Sequence, residues 1–326
     1  MEPTAQTRVR AENEMSIQAM AEEISNQELD LPRFGSQLRE IHLPRLDRSS
    51  FVFAGSGDSY AAAVFAQELS HGEAIASDPY ELLTNIQRVR GKNLVIVSVS
   101  GRTRTNIKLA RKAKEIAAKR IAISANQESP LSRECDETLQ LRYRNAGTLT
   151  SGTVSFTTSL LACAYLLGSL PRSIKGKTAL LGTALSTRSM TQVAKGSFVF
   201  TGSGVNYALS LYGAGKINEV LGSKAEAVYP EQVGHAKLFT IDKKRDIIVC
   251  ISSERDKAMK THELLRKDGF QSSLLAIPGR NAVIRSLENA AHLQQLSIAM
   301  AKKRRITECA FLSNKKSLSL SSRLIY

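Results

Sequence analysis

The chain has 326 residues, 42% of them hydrophobic and 23% charged, with 20 Gly, 8 Pro and 4 Cys, a composition that excludes a disordered or fibrous protein and leaves room for two domains of ordinary size, each with its own core. No apolar run reaches the length of a membrane span, and the polar segment Met1–Gln18 lacks the pattern of a secretory signal, so a cytoplasmic protein is expected. The formal charge of +15 is dispersed over Arg8–Arg10, Lys108–Lys119, Lys243–Arg245 and Lys302–Arg305 without interleaved aromatic residues, which argues for a solvated basic face and against nucleic acid as the partner.

In chain order, an N-terminal helical segment (1–45) precedes Ser50-Phe-Val-Phe-Ala-Gly-Ser-Gly57, read as a short apolar strand and a Gly-rich turn opening a helix from Ser59 to about Leu69. Leu94-Val-Ile-Val-Ser-Val-Ser100 is a second β-branched run of strand length, followed by a helical pattern from Arg102 to Lys119 and strands at Arg120–Ala125 and Glu137–Arg142. The Ser-, Thr- and Lys-rich stretch Pro171–Lys195 reads as a junction. Beyond it the opening recurs: Ser197-Phe-Val-Phe-Thr-Gly-Ser-Gly204 differs from Ser50–Gly57 at one position of eight, 147 residues later (197 − 50). A helix from Tyr207 to about Leu221, a strand Ile247–Ser253, a helix Asp256–Asp268 and a strand Ser272–Ile277 repeat the order. Cys135, Cys163, Cys250 and Cys309 are widely separated, without metal-ligand spacing, and read as buried reduced thiols. The expected fold class is α/β: two tandem units, each a mostly parallel, doubly wound sheet flanked by helices.

Ligands of such sheets bind at the carboxyl ends of the strands, where helix N-termini present N–H groups to an anion. In the first unit that place holds Ser98-Val-Ser-Gly-Arg-Thr103. Hydroxyls of Ser98, Ser100 and Thr103 can donate to phosphate oxygens, Gly101 lets the backbone approach, and Gly57-Asp58-Ser59 faces the same edge. Set against it, Ile251-Ser-Ser-Glu-Arg-Asp256 puts Ile251 in the place of Ser98 and Glu254 in the place of Gly101, so the second unit is expected to have lost an anion-binding role.

Gly57-Asp-Ser-Tyr60 followed by Ser98-Val-Ser-Gly-Arg-Thr103 resembles the sugar isomerase (SIS) domain, whose S-x-S-G-x-T loop binds the phosphate of a sugar phosphate. Gly213-Ala-Gly-Lys-Ile-Asn-Glu-Val220, Ala225-Glu-Ala227, Gly234-His235 and Asn314-Lys-Lys-Ser-Leu-Ser-Leu320 resemble the second SIS domain and tail of the isomerase module of glucosamine-6-phosphate synthase. Met20-Ala-Glu-Glu-Ile-Ser-Asn-Gln27 resembles the segment that opens that module. The resemblance implies SIS domains over 46–170 and 196–310, a linker 171–195 and a C-terminal tail 311–326 over the active site.

It also implies a site. Gly57, Asp58, Ser59, Ser98, Val99, Ser100, Thr103 and Ser151 would bind the substrate, with Thr153 and Ser155 as further candidates in a loop two residues shorter than the family's. Glu219 matches the carboxylate that moves a proton between C1 and C2 of an open-chain sugar phosphate. His235 matches the ring-opening histidine, contributed in the family arrangement by a neighbouring subunit of a homodimer. Lys316, or its neighbour Lys315, matches the tail lysine able to form an imine with the ketose carbonyl. Lys216, three residues before Glu219 on one helix face, could hold that carboxylate ionised. Arg102 stands where the synthase carries an acidic residue.

No cofactor or metal is implied, and no membrane partner. With Glu2 after Met1 and the first cysteine at Cys135, glutamine hydrolysis is not expected on this chain. The implied activity is C1/C2 isomerisation or deamination of a hexose 6-phosphate, foremost glucosamine 6-phosphate to fructose 6-phosphate. The alternatives are a bifunctional phosphoglucose/phosphomannose isomerase and a non-catalytic phosphosugar sensor.

Overall fold

The computed structural model describes residues 15–41, 47–174, 196–253 and 256–326. The chain opens with α1 (Ser16–Glu40), whose buried Met20, Ile24, Gln27, Leu31, Phe34 and Leu38 fall at alternating steps of four and three, one stripe of a helix. There follow β1 (Phe51–Ala54), α2 (Asp58–Leu69), β2 (Ile75–Ser77), α3 (Pro79–Thr84), β3 (Asn93–Val97), α4 (Arg104–Lys112), β4 (Lys119–Ser124), α5 (Pro130–Glu134), β5 (Glu137–Gln140) and α6 (Val154–Leu166). The second half runs β6 (Phe198–Gly202), α7 (Val205–Leu221), β7 (Ala225–Val228), α8 (Pro230–His235), β8 (Ile247–Ser252), α9 (Lys257–Lys267), β9 (Ser272–Ala276), α10 (Ala282–Lys303), α11 (Ala310–Ser313) and α12 (Lys315–Ile325). Five parallel strands form one sheet in the order β2-β1-β3-β4-β5, and four form the other in the order β7-β6-β8-β9.

Three features differ from the expectations. The helix anticipated to Lys119 ends at Lys112, because the chain must return to start β4 beside Asn93. The edge strands β2 and β7 were not anticipated; at three and four residues they are too short for a period-two pattern to register. The halves also share their main core instead of having one each. Phe51, Phe53, Val95 and Val97 of the first sheet and Phe198, Phe200, Ile247 and Val249 of the second pack into one cluster with α1, α2, α6, α7 and α10. The alternate residues Val52, Ala54, Leu94 and Ile96 face a separate outer cluster, as Val199, Ile248 and Cys250 do on the second sheet. Cys163, Cys250 and Cys309 are buried, while Cys135 is only half-buried.

Candidate active site

β1 and β3 lie side by side, Ala54 beside Ile96, so the turn after one and the loop after the other open on the same sheet edge. Gly57 caps α2 with φ +59. Gly101 has φ +62, and a Cβ there would sit 2.1 Å from Ser129 Oγ; only glycine fits this turn, which its N–H closes by donating to the Ser98 carbonyl (3.0 Å). Thr103, the N-cap of α4, makes no side-chain cap, so the first-turn N–H groups of α4 have no side-chain acceptor of their own. Ser98, Ser100, Arg102 and Thr103 here line a cleft of about 530 Å³ together with Asp58, Ser59 and Val99. Much of the remaining lining is neutral and hydrogen-bonding: Asn126, Tyr143, Asn145, Thr150, Ser155 and Ser159.

Behind the cleft stands a buried cation. Lys216 occupies the core face of α7 with its ammonium fully buried, a position expensive to fill unless every proton has an acceptor. Nζ lies 2.8 Å from Asp58 Oδ2, 2.8 Å from Glu219 Oε2, 2.5 Å from Ser151 Oγ and 3.2 Å from the Gly152 carbonyl, four acceptors for three protons. Burial pushes its pKa down, but the charges of Asp58 and Glu219 outweigh that and raise it. Ser151 Oγ in turn donates to Glu219 Oε2 at 2.5 Å. Burial raises Glu219, yet the Lys216 charge and the hydrogen bonds from Lys216 and Ser151 prevail and hold it below the ordinary carboxylate range, although its side chain keeps 40% of its surface exposed. Asp58 goes the other way: burial dominates, Lys216 opposes it, Glu219 adds to it, and the carboxyl is pushed up to about 6.

The loop carrying Ser151 is fixed from two sides. From α1, the buried carboxylate of Glu23 accepts from Thr150 Oγ1 (3.0 Å), Thr153 Oγ1 (2.6 Å) and the Ala146 N–H (3.4 Å). Thr157 donates to Gln27 (2.6 Å), Gln27 to Gln294 of α10 (2.7 Å), Gln294 to the Tyr212 hydroxyl (2.9 Å) and Tyr212 to the Gly152 carbonyl (2.8 Å). Each donor in this file polarises the next. Tyr212 is further held by a stack on Phe156, ring centroids 3.7 Å apart. None of Glu23, Gln27, Tyr212 and Gln294 was singled out as a site residue in the sequence. Polar residues interrupting an apolar helical stripe were the available signal, at Glu23 and Gln27 of α1.

The second sheet shifts the alignment of the two loops. Phe51 pairs with Asn93, and its counterpart Phe198 with Ile247, so the offset between β3 and β8 is 154 (247 − 93). An offset of 153, which matches Ser98 with Ile251, would place Leu94 of the outer face on Ile247 of the shared core, and a one-residue slip of that kind inverts every side chain. Ser98 therefore corresponds to Ser252, and the first hydroxyl is retained. Ser252 Oγ donates to Asp256 Oδ1 (2.8 Å), which also accepts the Met259 N–H (3.0 Å) and caps α9. The place an anion would take is filled by the chain's own carboxylate. Glu254 lies outside the described residues.

Of the residues expected to bind substrate, Asp58, Ser59, Ser98, Val99, Ser100 and Thr103 line the cleft; Gly57 caps the adjoining helix and Ser151 lies just behind, its neighbour Gly152 forming part of the wall. Lys216 and Glu219 meet Asp58 and Ser151 one contact deeper. His235 ends α8, exposed, with Nε2 3.6 Å from Glu231 Oε1, and does not line the cleft. Lys315 and Lys316 are exposed in the first turn of α12, whose following residue, Tyr326, does reach the cleft. Among the described residues no group of three His, Cys, Asp or Glu side chains is placed to hold a metal ion, and no helix is long and apolar enough to cross a membrane.

A family model described as the SIS domain matches residues 46–168. The glutamine–fructose-6-phosphate aminotransferase (isomerizing) of Streptomyces coelicolor is 26% identical over 220 residues, 59% of this chain and 35% of that protein, so the match spans about a third of the relative's length. Among solved structures, a glucosamine-6-phosphate deaminase from Thermotoga maritima superposes with a TM-score of 0.68 at 21% identity, covering 89% of this chain and 96% of its own. Tagatose-6-phosphate ketose/aldose isomerase from Escherichia coli gives 0.64 at 17% identity, with 92% of each chain covered. The fold is that of tandem SIS domains.

Proposed function

Residues 46–168 are a SIS domain, and from that premise we propose that the protein is an enzyme acting at C1 and C2 of a hexose 6-phosphate. One observation carries the reading: an anion cradle with an uncapped helix N-terminus shares its cleft with Asp58, whose buried partner Lys216 also holds the Glu219 carboxylate ionised. In this reading the phosphate sits on Ser98, Ser100, Thr103 and the N–H groups of α4, and the neutral hydroxyl and amide lining meets the sugar hydroxyls. Glu219 takes the proton from one carbon and returns it to the other, kept in its basic form by Lys216 and Ser151. His235 opens the sugar ring; being exposed and outside its own chain's cleft, it is assigned to the cleft of a second copy in a homodimer. Lys316 is assigned to the ketose carbonyl on closure of the tail.

Foremost among the reactions is deamination, in which glucosamine 6-phosphate and water give fructose 6-phosphate and ammonia. The names of the Streptomyces relative and the Thermotoga structure, both of which concern hexose 6-phosphates bearing or receiving nitrogen, support it. Aldose–ketose isomerisation of glucose or mannose 6-phosphate uses the same proton transfer and is the second reading, favoured by a lining that is neutral apart from Asp58 and Arg102. Ammonia release from glucosamine 6-phosphate, measured beside ketose formation from glucose and mannose 6-phosphates, separates the two. Tight binding of these sugars with neither ammonia release nor exchange of the C2 proton into solvent would leave only a sensor.

A further inference from the structure

An isomerisation at C1 and C2 moves two kinds of proton. One leaves carbon and returns to the neighbouring carbon; the other must reach the carbonyl oxygen and leave the hydroxyl oxygen. Glu219, ionised and hydrogen-bonded by Lys216 and Ser151 through Oε2, is equipped for the first. It has no proton to give to an oxygen while it is taking one from carbon.

Asp58 is placed for the second. It opens α2 and lines the same cleft as the phosphate cradle. Its Oδ2 accepts from Lys216, and among the described residues its Oδ1 has no hydrogen-bond partner. Glycines make the room it occupies: a Cβ on Gly152 would lie 2.7 Å from Oδ2, and one on Gly215 would lie 3.5 Å from Oδ1. The charged and titratable groups around it are Lys216, Glu219 and Tyr212 from α7, with Arg102 and Tyr143 across the cleft lining.

On the reading that the cleft performs C1/C2 chemistry, we propose that Asp58 is a second acid–base residue, shuttling a proton between O1 and O2 while Glu219 shuttles one between C1 and C2. From an open-chain aldose, Glu219 takes the C2 proton as the protonated Asp58 gives its proton to O1, and the enediol results. Asp58 then takes the O2 proton and Glu219 returns its proton to C1, leaving the ketose, with both carboxyl groups in their starting states. The electrostatics agree with this division: one site pushes Asp58 up to about 6 and holds Glu219 low, and divergent neighbours of this kind are how a site divides acid from base.

The test compares wild type with Asp58→Asn, which keeps an oxygen for Lys216, and with Asp58→Glu. For each, hexose 6-phosphate affinity, ketose or ammonia formation and exchange of the C2 proton into D2O are measured from pH 5 to 9. Wild-type turnover should decline as pH rises through the Asp58 titration near 6. Asp58→Asn should lose that alkaline limb and about 100-fold in kcat, with affinity within threefold, and its ratio of proton exchange to product should rise, because exchange needs only the first of the two oxygen proton transfers that product formation needs. Asp58→Glu should recover part of the rate. Equal loss of exchange and product in Asp58→Asn, or unchanged kcat and pH profile, overturns the proposal. If wild type itself neither turns over nor exchanges on any hexose 6-phosphate, the functional reading fails with it, and that outcome is separate from the variant's.

Discussion

The two halves open with nearly the same eight residues and the same backbone turn, Gly57 at φ +59 and Gly204 at φ +57, yet their next loops meet opposite ends. After β3, the glycine turn at Gly101 leaves the N-terminus of α4 without a side-chain cap and facing a cleft. After β8, Asp256 folds back on the N-terminus of α9 and takes the hydroxyl of Ser252 as well. In the second half the chain's own carboxylate thus occupies the helix end that the first half leaves open. The second half differs in another place as well: α7 carries Lys216, buried, and Glu219 beside it, whereas the buried residues of α2 are all small or apolar. In the proposed reading the first half holds the phosphate and supplies Asp58, while the second supplies Lys216 and Glu219.

Substitutions can break this division. The largest effect is expected from Glu219→Gln, which should lower kcat about 1000-fold while leaving hexose 6-phosphate affinity within a few-fold, read by single-turnover assays beside calorimetry; a comparable loss of affinity would mean that Glu219 belongs to the holding half. Gly101→Ala should destabilise the protein by about 2–4 kcal/mol, through the left-handed φ and the collision with Ser129, and abolish phosphate binding. Denaturant midpoints check the first part and inorganic phosphate titration the second. Glu23→Ala, which strips the acceptor from Thr150 and Thr153, should cost about 2 kcal/mol. Because it also frees the Ser151 loop, the acid limb of the activity profile should move to higher pH as Glu219 loses part of what keeps it ionised.

Smaller effects sharpen the contrast between the loops. Ser98→Ala should weaken phosphate about tenfold, and Ser252→Ala, its structural counterpart, should leave phosphate affinity untouched. Asp256→Ala should cost about 1 kcal/mol of stability as a lost cap, without changing turnover. A tenfold fall in turnover there would show that the second loop still takes part.

Much of this was legible in the chain itself. The repeated octapeptide, the β-branched runs and the Ser98–Thr103 loop marked two parallel sheets and the edge on which a ligand would lie, because strand periodicity and glycine turns are local properties. Glu219 and Lys216 could be placed on one helix face by their spacing of three. That Lys216 is fully buried, and that Asp58 from 158 residues earlier is one of its two carboxylate partners, could not be read, since no local pattern reports which helices cross. The one-residue offset between the loops was hidden for a related reason: both alignments look alike as strings, and only the pairing of β6 with β8 distinguishes them.

Composition and periodicity by themselves determined the fold class, the duplication and the place of the glycine turn at Gly101, for these follow from interactions within a few residues. Tertiary structure alone decided that the halves share one core, that α1 and α10 steady the loop bearing Ser151, and that two carboxylates with opposite proton affinities stand around one buried lysine. Those depend on burial and on distances between segments far apart in the chain, and it is burial that turns three ordinary charged residues into groups with different chemistry.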